Sequence, residues 1–238
     1  MKKLFVLIPV IISVLLCFGC GDKKQDSPEG KTESSNVKKE FSGIMKRYGI
    51  KSGIVEYEIS GSQKGKKTLY FDDYGLKQAE HSSTVLSIAG FTKKSNLINI
   101  IDNDYQYMID LDQKSGTKMK IAIIEELKEK LANSDLIDIG KEMFERSGAT
   151  LIGKEKVAGK ECDVYEVKKL GTKTWYWNWV VLKNEINTSG IKIKIEAVKV
   201  IDNADIPEDK LSVPKGIVLS EVDFSKMQQQ MGEEPKEK

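Results

Sequence analysis

The side chains that most often carry catalysis or bind metals are few and scattered in this sequence. His81 is the only histidine, and the spacing matches no serine or cysteine to it. Residues 110–112 open like a calcium loop, but Ser115 replaces the glycine of the sharp turn and Ile121 replaces the bidentate glutamate. Residues 61–68 share part of a phosphate-loop pattern, yet they lie between two predicted strands. We therefore predict that the protein is not an enzyme and has no metal site or cofactor.

One cysteine stands in a chemically specific setting. Lys2 and Lys3 precede an apolar run over residues 4–16. This run is shorter than the roughly 20 residues that span a bilayer, and it fits the hydrophobic region of a secretory signal. The run leads to Cys20, where a small residue, Gly19, precedes a thiol that can be acylated. The pattern predicts a signal peptide over residues 1–19.

This junction resembles the lipobox of bacterial lipoproteins, although Cys17 and Phe18 depart from its usual residues. The resemblance implies cleavage before Cys20, a diacylglyceryl group and palmitate-type acylation on that residue, and a lipid anchor. The protein would then be held on a bacterial membrane, facing the periplasm or the cell exterior. Cleavage removes Cys17 and lipidation uses Cys20, so Cys162 would be the remaining free thiol.

The overall composition is that of an ordinary globular protein, with 31% charged and 39% hydrophobic residues. The formal net charge is +2, which the two lysines of the signal peptide account for. A neutral mature chain offers no electrostatic reason to bind nucleic acid. Residues 20–40 are polar and predict the lipidated cysteine followed by a disordered tether, and residues 226–238 predict a polar tail.

Residues 41–225 have the pattern of one folded domain, which we expect to be a monomer. Residues 53–59 alternate between apolar and acidic side chains, as a half-buried strand does. Short segments of this kind recur with turns between them, which predicts an antiparallel sheet. Between residues 121 and 147 the period becomes helical, and two amphipathic helices are expected. The predicted class is α+β, mainly antiparallel β.

Three motifs resemble those of the LolA/LolB/LppX-like superfamily of bacterial envelope proteins. Residues 151–167 resemble its G-x-E-x-V-x-G-x-x-C-x-x-Y hairpin, and residues 175–183 resemble the strand that follows, with Val181 where proline is common. Residues 206–216 resemble its closing element, with Leu211 in the aromatic position. The resemblance implies a strongly curved, open half-barrel sheet, a central helix pair over its concave face, and a concavity that often holds acyl chains.

The three tryptophans of the chain are spaced two residues apart on a predicted strand, so they would project from one face. If that face is concave, they form an aromatic stripe for acyl chains; alternatively, they pack under the helices as core residues. The candidate ligand-binding residues are therefore Trp175, Trp177, Trp179, Ile124, Leu127, Leu131 and Met143. Two functions stay open: a lipoprotein that binds a lipid or acyl chain, and a module that fills its own concavity and binds an envelope protein.

Overall fold

The computed structural model describes residues 46–121 and 136–222. These residues form one sheet of 12 strands and one α-helix, α1 (Leu136–Arg146). The strands are β1 (Gly53–Gly61), β2 (Gln63–Asp72), β3 (Lys77–Ile88), β4 (Phe91–Asp102), β5 (Tyr105–Asp110), β6 (Ser115–Lys120), β7 (Thr150–Val157), β8 (Lys160–Val167), β9 (Thr172–Trp177), β10 (Val180–Thr188), β11 (Ile191–Asp202) and β12 (Val218–Val222).

The sheet consists of two meanders that meet at its centre. Its order is β12-β6-β5-β4-β3-β2-β1-β11-β10-β9-β8-β7, so β1 pairs with β2 on one side and with β11 on the other. All neighbours are antiparallel except β12, which adds in parallel beside β6. Both outer strands, β12 and β7, pair on one side only within the described residues.

The cross-strand register defines two faces. The Tyr57 face carries Tyr57 of β1, Lys67 of β2 and Glu80 of β3. The His81 face carries His81 together with its cross-strand neighbour Ile98 on β4. Side chains alternate between the faces along each strand. We therefore assign the remaining strand residues to one of these two faces through their pairing partners.

Two clusters of buried side chains hold the sheet together. The larger one joins the centre of the sheet to its β7–β10 end, and its members include Val55, Tyr57, Phe71, Val164 and Leu182. The smaller one lies on the His81 face and consists of Ala79, Ile98, Ile100 and Ile109. Fully burying such a side chain contributes roughly 1.5–3 kcal/mol, so these clusters account for much of the stability of the sheet.

The smaller cluster is covered by the chain between β11 and β12, which we call the cover segment (residues 203–217). Leu211, Val213 and Ile217 of this segment pack against the cluster. The backbone carbonyl oxygen of Lys210 lies 2.9 Å from Nε2 of His81. The cover segment therefore gives the His81 face an apolar second layer and brings β12 beside β6.

The predicted fold class is wrong, because residues 46–121 and 136–222 form one 12-stranded sheet and no helix pair covers it among these residues. The sheet dominates, and α1 is the only α-helix among the residues that the structure describes. Ile121, the expected start of the first helix, instead donates its backbone N–H to the carbonyl of Asp104 at 2.7 Å, next to the β5–β6 hairpin. The rest of that predicted helix, which carries Ile124, Leu127 and Leu131, falls within residues 122–135 and so lies outside the described ranges. In those ranges no helix is long and apolar enough to cross a membrane.

Candidate functional site

Aromatic side chains fill the Tyr57 face where α1 approaches the β8–β9 end of the sheet. The register from β1 through β11 and β10 to β9 and β8 places Tyr165 and Tyr176 on this face. The ring of Phe144, from α1, makes edge-on contacts with both, at centroid distances of 5.3 and 5.5 Å. Trp179 completes what we call the aromatic cluster, with its ring centroid 5.2 Å from that of Tyr176.

The turn between β9 and β10 explains how Trp179 reaches this cluster. Trp177 pairs with Val180 across a two-residue turn in which Asn178 and Trp179 have φ values of 47° and 64°. Two successive positive φ values are those of a type I′ turn, whose twist matches that of the flanking strands. Trp179 therefore lies in the turn rather than on β9, and its ring folds onto Tyr165 and Tyr176.

Trp175 belongs to the larger buried cluster, together with Tyr57 and Leu182. Its cross-strand partners are Lys183 on β10 and Val164 on β8. The side chain is 3% exposed, and its indole N–H donates to Oε2 of Glu155 at 2.8 Å. The ring is thus buried and hydrogen-bonded, as a core tryptophan usually is.

Each tryptophan ring also has a lysine ammonium over it. Lys183 Nζ lies 4.1 Å from the ring centroid of Trp175, and Lys160 Nζ lies 4.7 Å from that of half-buried Trp177. Lys141 of α1 lies 5.6 Å from the ring centroid of Trp179. Such cation–π contacts contribute about 0.5–1 kcal/mol at exposed sites. The three rings therefore do not form one stripe, and other parts of the chain contact each of them.

The other sequence-predicted site residues fall largely beyond the described ranges. Ile124, Leu127 and Leu131 lie outside them, as does Cys20. Met143 lies in α1, next to Phe144. The ligand-binding role of these residues stays a prediction.

The centre of the Tyr57 face is polar and internally paired. Lys67 and Glu80 form a half-buried ion pair at 3.0 Å, and the Lys67 ammonium lies 4.7 Å from the ring centroid of Tyr57. The hydroxyl of Tyr57 donates to the carbonyl of Val181 at 2.8 Å. Burial, with the nearby Glu80 carboxylate as a second cause, raises the pKa of Tyr57 well above its ordinary value.

The segment that precedes β1 packs between the polar centre of the Tyr57 face and the aromatic cluster. The ring of Tyr48 packs edge-on against Phe71 at 4.9 Å, and its hydroxyl donates to Oε1 of Gln78 at 2.6 Å. Burial raises the pKa of the Tyr48 hydroxyl far above its usual range. The start of α1 is fixed here too, because the N–H of Ile137 donates to the carbonyl of Lys46 at 3.1 Å.

His81 and Cys162, the side chains most able to take part in catalysis, are packed within the sheet. His81 lies inside β3 rather than at a strand end, where its ring contacts Tyr70 at a centroid distance of 5.2 Å. Cys162 has no exposed surface, and burial raises the pKa of its thiol to about 11. A thiol of this kind is unreactive. Among residues 46–121 and 136–222, no three His, Cys, Asp or Glu side chains are grouped so that they could hold a metal ion.

Sequence reasoning missed most of the aromatic cluster. Tyr165 and Tyr176 lie on different strands, so no local spacing connects them. The available signal was the Tyr-Trp-Asn-Trp run over residues 176–179, in which asparagine favours the left-handed backbone of a turn. That signal breaks the strand after Trp177 and separates Trp179 from the other two tryptophans.

No protein-family model and no curated protein matches the chain. Among solved structures it is similar to an uncharacterized conserved protein from Thermus thermophilus, over 72% of this chain and 91% of that one, at 8% identity and a TM-score of 0.46. It is also similar to the MucA/MucB complex structure of Pseudomonas aeruginosa, over 72% of this chain and 58% of that one, at 11% identity and a TM-score of 0.39. These similarities concern the coarse arrangement of strands, and at TM-scores below 0.5 they assign neither a family nor a function.

Proposed function

We propose that the protein is an exported lipoprotein, anchored through Cys20, whose β-sheet domain binds another protein of the bacterial envelope. The observation that carries this proposal is the aromatic cluster. Phe144, Tyr165, Tyr176 and Trp179 occupy the β8–β9 end of the Tyr57 face with side chains of the chain itself. A face that is packed in this way leaves recognition to the outer surface and edges of the domain.

The edge strand β7 is the surface that best suits a protein partner. It pairs only with β8 in the described part of the chain, and seven of its eight residues are exposed. Leu151 and Ile152 are large apolar residues among them. Lysines 154 and 156 and Glu155 protect its second half from nonspecific pairing, as edge charges do. The first half of β7, where a bulge between Leu151 and Gly153 interrupts the pairing, can therefore present Leu151 and Ile152 as an apolar contact for a partner.

A photo-cross-linking amino acid tests this edge in intact cells. Placed at Ile152, it should give one discrete cross-linked protein band. Placed at Val218, which is exposed on the opposite edge strand β12, it should give none. Leu151→Lys should abolish the Ile152 band without lowering the amount of the protein. Equal bands from both positions, or no band from either, would refute recognition at β7.

The anchor is tested separately. Cys20→Ser should leave an uncleaved or unlipidated form that incorporates no labelled palmitate, because the thiol that would be acylated is lost. Cys162→Ser is the matched control and should be labelled normally. If the Cys20→Ser variant were processed and membrane-bound like the wild type, the lipobox interpretation would be wrong.

Binding of a lipid or acyl chain is the competing function. It requires that the aromatic cluster open, because Trp179 contacts Tyr165 and Tyr176 in the packed state. Mass spectrometry of organic extracts from the purified protein, together with tryptophan emission during lipid titration, distinguishes the two. A co-purifying lipid and a saturable emission shift would favour the lipid-binding function over the one proposed.

A further inference from the structure

A cavity of about 430 Å³ lies between the His81 face and the cover segment. We call it the cover pocket. Ile100 and Tyr107, on β4 and β5, form one side of it, and Leu211 and Val213 of the cover segment form the other. Small-molecule sites typically measure 300–1,000 Å³. The lining of the cover pocket is half polar and half apolar, so a short apolar group fits against the apolar side chains only.

The charges around the cover pocket are unbalanced. Three carboxylates line it, those of Asp72, Asp102 and Glu208, against the single ammonium of Lys77. Lys77 stands between Asp72 and Asp102 in the cross-strand register. Glu208 approaches from the cover segment, on a single turn of 3-10 helix. The pocket thus carries a net charge of −2 on these side chains.

This imbalance distinguishes the cover pocket from a second hollow on the sheet. That hollow, of about 250 Å³, is lined by two glutamates, Glu58 and Glu196, and two lysines, Lys66 and Lys194. Its charges cancel, and Lys194 is directly paired with Glu196 at 2.7 Å. An excess of negative charge beside apolar side chains is therefore a property of the cover pocket and not of every hollow on this surface.

We infer that the cover pocket is a binding site for a small soluble organic ammonium ion that carries a short apolar group. The apolar group lies against Ile100, Leu211 and Val213, and the cationic head lies among the carboxylates. The ring of Tyr107 provides a further surface for the head, because aromatic rings attract ammonium ions. The inference is independent of the partner proposed for β7, which lies at the other end of the sheet.

Solution NMR of the full-length protein with labelled Ile, Leu and Val methyl groups tests this site. The probe is hexyltrimethylammonium, with hexan-1-ol and hexanoate as the neutral and anionic matches. The cationic probe should shift the methyl signals of Ile100, Leu211 and Val213 saturably. The neutral and anionic probes should bind more weakly by roughly two- to fivefold or more, as expected for exposed charge pairs.

Two substitutions of opposite sign make the test specific. Glu208→Gln removes a negative charge and should raise the Kd of the cationic probe roughly two- to fivefold, whereas Lys77→Gln should lower it by a similar factor. Glu58→Gln, in the balanced hollow, is the control and should leave the Kd unchanged. Equal Kd values for the cationic and neutral probes, a change of the same sign in both variants, or displacement of the cationic probe by Ca²⁺ would overturn the inference.

Discussion

The contact of α1 with the sheet is the feature on which the self-filled Tyr57 face depends, and Phe144→Ala tests it. Phe144 is half-buried, and it makes two edge-on ring contacts, with Tyr165 and with Tyr176. Truncating a fully buried phenylalanine costs about 3–5 kcal/mol, and aromatic pairs contribute about 0.5–1.5 kcal/mol each. For a half-buried ring with two such pairs, we expect the free energy of unfolding to fall by about 2 kcal/mol.

The assay is thermal and urea unfolding followed by circular dichroism. A loss of about 2 kcal/mol in a chain of this size corresponds to a decrease in Tm of roughly 4–8 °C. The near-ultraviolet spectrum of the native protein should also lose intensity, because the rings of the aromatic cluster become less ordered. Phe91→Ala is the matched control, since that ring is 61% exposed on β4, and it should change the stability by less than about 0.5 kcal/mol.

The refuting result is specific. If Phe144→Ala and Phe91→Ala were equally stable and had the same near-ultraviolet spectrum, α1 would not be held by the aromatic cluster. The Tyr57 face would then be open at this end. The main argument against an acyl-chain ligand would be lost.

Three further predictions concern the backbone, the free thiol and pH. Gly61→Ala should destabilise the protein by more than about 1 kcal/mol in urea, because its Cβ would lie 2.1 Å from the carbonyl oxygen of Lys192; Gly90→Ala, at a similar positive φ but in open space, should cost less. Cys162 should not react with a disulfide reagent at pH 8 unless urea is present, and equal rates in both conditions would contradict its burial. The pKa of Tyr176 is raised by burial to about 12, so its stabilising contribution is complete below about pH 10, the pKa of an unfolded tyrosine, and is lost as the pH rises towards 12. The decline in stability over this interval should be shallower in Tyr176→Phe, and an unchanged slope would count against the assignment.

The sequence predicts that a strand is present better than it predicts where that strand begins and ends. The alternation of Val55, Tyr57 and Ile59 with glutamates is found in β1, with its apolar side buried. By contrast, the run around Ser82 and Ser83 suggests a break, yet β3 continues through it from Lys77 to Ile88. The reason is nonlocal, because β2 and β4 pair with β3 on both sides over this length and satisfy its backbone.

The candidate site was harder to predict than the strands. The spacing of the three tryptophans indicates one face only if the strand continues through Asn178, and the type I′ turn there reverses the chain instead. Residues 206–216 form part of the cover segment, and their role depends on contacts with distant strands. Leu211 and Val213 cover Ile100 and its neighbours, which precede them by more than a hundred positions, and no local pattern contains that information.

The position of β1 at the centre of the sheet has a consequence for how the chain can assemble. Strands β1 to β6 and strands β7 to β11 are each built from contacts between consecutive strands, which form quickly, whereas the β1–β11 pairing closes a long loop and forms slowly. The cover segment then carries the end of the second meander across the first and places β12 beside β6. Two polypeptides divided between β6 and β7 would therefore hold each other at two separate places, the central β1–β11 pairing and the outer β6–β12 pairing. Such a protein is suited to reconstitution from two fragments. Recovery of the native fold would show that the two fragments had associated.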